Sequence, residues 1–378
     1  MERDQASKFI NDLLRLMVSR NGSDLFITAD FPPAIKVDGK VSKVSPQPLT
    51  PAHTLALARS IMSDKQAAEF ERTKEANFAI SPAGVGRFRV NAFVQQGHVG
   101  LVLRVIPLNV PTIDGLGLPQ VLKDVAMSKR GLCILVGATG SGKSTSLAAM
   151  VDWRNEHSYG HIVTIEDPVE FVHAHKNCVI TQREIGLDTD NWEVALKNSL
   201  RQAPDVILMG EIRDRETMEH AIAFAETGHL CLATLHANSS NQAMDRIINF
   251  FPEERRAQLL MDVSLNLRAI MSQRLIPRQD GKGRIAAIEV LLNTPRVADL
   301  IFKGEVAEIK EAMKLSRNQG MQTFDQALFD LFEANVISYE DALRNADSLN
   351  DLRLQIKLHS TRARTKDLAA GTEHLSVV

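Results

Sequence analysis

A chain of 378 residues, 44% of them apolar and 24% charged, has the make-up of ordinary globular domains and is long enough for two or three, each with its own core. Its 21 glycines and 14 prolines are too few for a fibrous or disordered chain. A formal net charge of -2 offers no general positive field to a polyanion, which counts against nucleic acid as a partner.

In chain order, an amphipathic start carries Phe9, Leu13, Leu16 and Met17 at helical spacing. Strand-like runs follow at 24–28 and 34–37, set off by turn signals at Pro32-Pro33 and Asp38-Gly39, and 52–70 reads as one or two helices. Three more strands are expected at 77–80, 86–95 and 100–106, so residues 1–106 form a small α+β domain. Pro107, Pro111, Gly115, Gly117 and Pro119 then crowd a stretch where proline halts regular structure and glycine permits turns, which places an interdomain linker at 107–118. Within a second domain, 119–358, uninterrupted apolar runs at 132–136, 162–165, 206–209, 230–234 and 285–291 alternate with helical segments. Strands without polar alternation are covered on both faces, so a mostly parallel α/β sheet is expected. The stretch 295–358 is helical by pattern, with Phe324, Leu328, Leu331 and Phe332 in one stripe. Residues 359–378 read as a frayed polar tail. The basic cluster Arg353, Lys357, Arg362, Arg364 and Lys366 reads as solvated surface rather than a membrane or partner contact.

The cysteines, Cys133, Cys178 and Cys231, are odd in number, far apart and without a CxxC pair, which fits buried reduced thiols in a cytosolic protein. No apolar run reaches the roughly 18 residues of a spanning helix, and the opening MERDQASKF has no signal-peptide core. The expectation is a soluble, cytoplasmic chain that meets a membrane only through partners.

Directly after the apolar run 132–136 stand Gly137, Ala138, Thr139, Gly140, Ser141, Gly142, Lys143 and Ser144, which match G-x-x-x-x-G-K-[ST] in a strand, loop, helix context. Glycines let the loop curl so that successive backbone N–H groups point inward, and the following helix adds its positive end. This is a cradle for the phosphates of ATP. Lys143 neutralises the β and γ oxygens, the Ser144 hydroxyl ligates Mg²⁺, and Thr145 reaches the α-phosphate. A second element, Asp205 to Met209 followed by Gly210 and Glu211, is an apolar strand that ends in an acid, the Walker B arrangement. In a parallel sheet, ligand chemistry gathers at the carboxyl ends of the strands, so Glu211 is placed beside the loop to hold the Mg²⁺ hydration shell. The run 162–165 ends in Glu166, Asp167, Pro168, Val169 and Glu170, where any one acid could activate the attacking water and the others be merely solvated. His229 and His236 bracket the run 230–234, and His236 is a candidate γ-phosphate sensor. No His or Cys pair has the spacing of a zinc site.

The four segments in order, the P-loop, TIEDPVEF, DVILMGEIRD and TGHLCLATLHANS, resemble the Walker A, Asp box, Walker B and His box of the secretion and pilus ATPase superfamily. SDLFIT, PPAIKVDGK, GRFRVNAF and the late GMQTFDQAL resemble its PilT-like retraction branch over almost the whole chain. The resemblance implies a PAS-like α+β N-terminal domain, a RecA-like ATPase domain with a helical C-terminal part, and a homohexameric ring. It implies that Glu170 is the water-activating base, that Glu211 is the metal-associated acid, and that His229 and His236 form the His box. It also implies that Arg89 and Arg104 reach toward the nucleotide phosphates.

Assembly ATPases of the superfamily carry a four-cysteine zinc module, which this chain lacks. Retraction motors carry an AIRNLIRE-like stretch, where this chain reads Pro295, Arg296, Val297, Ala298, Asp299, Leu300, Ile301, Phe302 and Lys303. With the extended tail, that departure is similar to the accessory, PilU-type members. The implied partners are a PilT-type retraction ATPase and a pilus platform protein at the cytoplasmic face of the inner membrane. Two other readings stay open: a related hexameric secretion or DNA-transfer ATPase, and a nucleotide-binding docking subunit with little turnover.

Overall fold

A computed structural model describes residues 2–362 other than positions 38 and 108. The chain divides into one unit of Met1–Asn109, Glu170–Val172 and Gly186–Asp190, and another of Val110–Val169, His173–Ile185 and Asn191–Val378. No helix among the described residues is long and apolar enough to cross a membrane. Arg364 and Lys366 lie outside the described residues.

The first unit opens on α1 (Arg3–Ser19) and continues through β1 (Asp24–Ile27), β2 (Ala34–Val37) and β3 (Lys40–Lys43). Helices α2 (Pro51–Ile61) and α3 (Asp64–Thr73) follow, then β4 (Glu75–Ile80), β5 (Arg87–Gln95) and β6 (His98–Ile106). Ala6, Ile10, Leu13, Leu14 and Met17 recur every three or four residues and give α1 one buried stripe. The expected helical stretch 52–70 is two helices because Ser63 caps α3, its side chain accepting from Gln66 N–H. The six strands form an antiparallel sheet in the order β3-β2-β1-β6-β5-β4. Leu25, Ile27, Phe88, Val90, Ala92, Leu101 and Leu103 join the helices in one core. Strand β3 escapes sequence reading because all four of its residues are exposed. Its lysines suit an edge that must not recruit another strand.

The second unit runs α4 (Val121–Ala126), β7 (Gly131–Val136), α5 (Lys143–His157), β8 (Gly160–Glu166), β9 (Cys178–Glu184), α6 (Trp192–Ser199), β10 (Val206–Met209), α7 (Arg215–Glu226) and β11 (Leu230–Leu235). Then come α8 (Ser240–Asn249), α9 (Glu253–Asn266), β12 (Leu267–Pro277) and β13 (Arg284–Leu292). Its sheet has the order β13-β12-β7-β11-β10-β8-β9, parallel throughout except for the β12–β13 pair. The continuous apolar run of β7 has the expected cause. Leu132, Ile134 and Val136 enter the core beneath α6, α7 and α9, while Cys133 and Leu135 enter the one beneath α4 and α5. Strands β9 and β12 are not expected from sequence. Strand β12 carries Ser272, Gln273 and Arg274, so it is not an unbroken apolar run, and its start follows α9 without a turn signal.

Helices α10 (Pro295–Lys303), α11 (Ile309–Leu315), α12 (Phe324–Glu333), α13 (Tyr339–Asn345) and α14 (Leu349–His359) complete the chain. Phe324, Leu328 and Phe332 are buried with Ile276, Ile337, Leu352 and Ile356, and Leu331 packs at their margin. Residues 360–362 depart from the expected frayed tail, because Glu333 captures them. Its carboxylate accepts from Ser360 Oγ at 2.6 Å and from the N–H groups of Thr361 and Arg362 at 2.8 and 3.1 Å. The Arg362 guanidinium donates to the carbonyls of Phe332 (2.6 Å) and Ile337 (3.1 Å).

Donation from Ser360 and Thr361 holds the Glu333 carboxyl down at about 2. A depressed acid stabilises the folded form above its unfolded value and stops doing so as pH falls through the folded one. The turn is therefore expected to stay docked near neutrality and to detach between about pH 4.5 and pH 2. Amide protection at residues 360–362, taken relative to the intrinsic exchange rate at each pH, should be lost over that range, and Glu333→Gln should lack it at every pH.

Candidate functional site

The glycine-rich loop of residues 137–142 is built where β7 ends and α5 begins. Gly142 has φ +88°, a conformation an L side chain rarely adopts, and an added Cβ would lie 2.7 Å from Gln273 Nε2. At Gly137 a Cβ would fall 2.4 Å from Ser141 Oγ and 2.7 Å from the Gln273 carbonyl. Glycine is required because β12 closes against the loop. Gln273, buried on β12, accepts from Ser146 Oγ at 2.7 Å and donates to the Ser141 carbonyl at 2.8 Å, tying loop, helix and strand together. Sequence reading missed this residue. It carries no signal of its own, since it stands between Ser272 and Arg274 in a polar patch of the chain.

Gly137→Ala is expected to overpack this contact and lower stability by about 1–3 kcal/mol. A fall in the urea midpoint at unchanged slope checks it.

Lys143 is buried, and its Nζ donates to the carbonyls of Gly137 (2.8 Å) and Ala138 (3.0 Å). Burial holds its pKa below the ordinary lysine value, against the pull of the Glu211 charge. Ser141 Oγ is buried without a hydrogen-bond partner, an orphaned hydroxyl in the loop that fits a site meant for a polar ligand. Residues Gly137, Ala138, Thr139, Gly140 and Ser141 also border a cavity of about 200 Å³ with Asn238, Gln273, Arg274, Leu275 and Arg284. Ser144 is exposed and Thr145 half-buried on the first turn of α5.

A serine hydroxyl and a carboxylate are hard oxygen donors of the kind Mg²⁺ takes. Among the described residues no group of three or more His, Cys, Asp or Glu could hold a metal by itself.

Strands β8, β10 and β11 are parallel neighbours, so their carboxyl ends gather a second set of side chains. The backbone there is pinned. Gly210 N–H donates to the Ile165 carbonyl and Ile212 N–H to the Thr234 carbonyl, both at 2.8 Å. A Cβ on Gly210 would lie 3.3 Å from the Glu166 Cα, the Ile165 carbonyl and the Trp192 ring, a tight fit that glycine relieves. Glu211 then meets His236 Nε2 with one oxygen and Arg213 Nε with the other, each at 3.1 Å. Of the Asp-box acids, Glu166 accepts from Thr164 Oγ1 at 2.6 Å, Asp167 pairs with Arg213 at 3.5 Å, and Glu170 is exposed. The Asp167–Pro168 bond is cis.

The histidines are not brought together. Strand β11 separates them by roughly 20 Å at the usual rise per residue. His236 follows the strand, beside Glu211. His229 precedes it, with Nδ1 3.0 Å from Thr227 Oγ1 and its carbonyl accepting from Gly131 N–H at the start of β7, whereas the phosphate loop follows the end of β7. Opposite ends of a parallel strand lie at opposite ends of the sheet.

Arg89 and Arg104 face each other across β5 and β6 in the first unit. Arg104 Nε donates to Asp24 Oδ1 at 2.8 Å. Burial pushes the Asp24 carboxyl up, but hydrogen bonds from Arg104 and Ser23 outweigh it and hold the group below its usual value. Arg89 is exposed.

The family model for the type II/IV secretion system protein matches residues 2–323. The type IV pilus ATPase PilU of Pseudomonas aeruginosa is 60% identical over 97% of this chain and 95% of its own length. The pilus retraction ATPase PilT of the same organism is 44% identical over 89% of this chain and 98% of its own. The crystal structure of the pilus retraction motor PilT with bound ADP superposes with a TM-score of 0.86 at 38% identity, covering 91% of this chain and 99% of that one.

Proposed function

From the premise that the chain belongs to the type II/IV secretion system protein family and is an ATPase of the PilT and PilU kind, we propose that it is an accessory motor subunit of type IV pilus retraction. The observation that carries this is 60% identity to PilU over 97% of the chain. The accessory role has further support at residues 295–303, where the sequence departs from the AIRNLIRE-like stretch of the retraction motors. The three cysteines are buried and free, which leaves no cysteine module of the assembly type.

In this reading ATP is the substrate, and Gly137 to Thr145 take its phosphates through loop amides, Lys143 and the hydroxyls. Mg²⁺, when bound through Ser144 and through water to Glu211, supplies electrostatic screening of the phosphate oxygens. Lys143 keeps a positive charge among carbonyls, ready to exchange them for phosphate. Glu211 is held by His236 and Arg213, which suits an orienting acid. Glu166 and Asp167 are likewise engaged, which supports Glu170 as the group that takes the proton from water. Arg89 and Arg104 serve as cations toward the phosphates, Arg104 giving up Asp24 to do so.

The working form is a homohexamer at the cytoplasmic face of the inner membrane, acting with a PilT-type ATPase and the pilus platform protein. Two measurements test the proposal: ATP turnover by the purified chain, and its cosedimentation with the PilT-type ATPase of the same cell. Turnover together with cosedimentation is expected. Cosedimentation without turnover would identify a docking subunit, and turnover without it would point to another secretion machine.

A further inference from the structure

We infer that Arg213 is a positioning residue for ATP hydrolysis, a two-pronged brace that holds the Walker B acid Glu211 and the Asp-box acid Asp167 at one spacing. This rests on the ATPase reading above and adds a residue to it.

The brace starts from a fixed backbone. Gly210 and Ile212 are tied to the ends of β8 and β11, and Arg213 N–H donates to Thr217 Oγ1 at 3.0 Å. Asp214 caps α7 by accepting from Thr217 N–H at 2.9 Å. The residue therefore stands where two strands and a helix meet.

Its side chain leaves in one direction. Nε donates to Glu211 Oε2 at 3.1 Å, a terminal nitrogen reaches Asp167 Oδ2 at 3.5 Å, and the guanidinium carbon lies 5.5 Å from the centre of the Trp192 ring. A planar fork can serve two carboxylates and an aromatic face together, which a lysine cannot. Because His236 takes the other oxygen of Glu211 at 3.1 Å, the carboxylate has no free rotation left.

Charge explains why a brace is needed. Glu166, Asp167 and Glu211 sit at adjacent strand ends, and without a cation between them Asp167 and Glu211 repel. Arg213 and Asp167 are 45% and 41% exposed, and pairs that open to solvent add little to folding. A contact with small value for stability, joining two boxes of the hydrolytic site, points to geometry as its purpose.

Steady-state ATPase kinetics of Arg213→Gln and Arg213→Lys, set beside their unfolding midpoints, test this. For Arg213→Gln, kcat is expected to fall about 10- to 100-fold, the cost of a misplaced group, with KM within about threefold and an unchanged midpoint. Arg213→Lys should be intermediate, since it restores charge without the fork. A readout independent of turnover is the emission of Trp192, made the sole tryptophan by Trp153→Phe. It should shift on Arg213→Gln in nucleotide-free protein.

Equal turnover by wild type and Arg213→Gln overturns the inference, as does a fall in kcat matched by a lower unfolding midpoint. Wild-type protein without turnover overturns the ATPase reading and this role with it.

Discussion

Lys143→Ala should lower ATP turnover by at least about 10²- to 10³-fold, the loss typical when a preorganised donor to developing charge is removed. The reason lies in how the side chain is held. Its ammonium is buried and gripped by two loop carbonyls at 2.8 and 3.0 Å, so the charge already stands in the curl of the loop. Phosphate oxygens then exchange with carbonyls rather than with bulk water, and an anionic oxygen is a stronger acceptor for the ammonium than the neutral carbonyl it replaces. The variant should still fold. It removes a buried charge whose desolvation is unfavourable, and this opposes the cost of about 1–3 kcal/mol for leaving a carbonyl unsatisfied. Steady-state ATP turnover beside titration with a fluorescent ATP analogue, on protein shown to be folded by its unfolding midpoint, checks the claim. Wild-type affinity in the variant would mean that the loop amides alone hold the phosphates.

Glu170→Gln should behave differently, retaining ATP affinity within a few-fold while kcat drops by about 10²- to 10⁴-fold, the range for loss of a general base. Glu170 is exposed, so the change leaves no buried group unpaired and the fold should not notice it. The neighbouring acids provide the contrast. Glu166 accepts from Thr164 Oγ1 at 2.6 Å, so Glu166→Gln disturbs a local hydrogen bond first. Asp167→Asn loosens only the Arg213 pair at 3.5 Å and should mimic Arg213→Gln in a milder form. Single-turnover rates for the three variants rank the acids. If Glu166→Gln were the slowest and Glu170→Gln ran at the wild-type rate, the base would be Glu166.

Much of this site can be read along the chain. The glycines at 137, 140 and 142, Lys143 and the apolar run before them are contiguous, and their spacing demands a curled loop between a buried strand and a helix. Glu211 is equally legible, because an apolar strand that ends in an acid puts that acid at the carboxyl edge of a parallel sheet. His229 and His236 are legible in the same way, since residues that bracket one strand stand at its two ends. Strand β12 is not legible. Its polar residues look like surface until the loop packs on them, and then Gln273 becomes the clamp across a separation of 132 residues. The tail is misread at Ser360, which looks solvated by type but is fully buried because Glu333 lies within reach.

Local sterics and hydrophobic patterning act between chain neighbours, so residue order alone was enough to specify the curled glycine-rich loop, the alternation of buried strands with helices, and the acids that end them. Which acid is held and which is left open depends on charges from remote segments meeting across strand ends, as when Arg213 reaches Asp167 from 46 residues away. Hydrogen bonds are lost within a few ångströms and Coulomb energy falls with separation in space, whatever the distance along the chain. The contacts of Gln273 and Arg213 were therefore settled by folding.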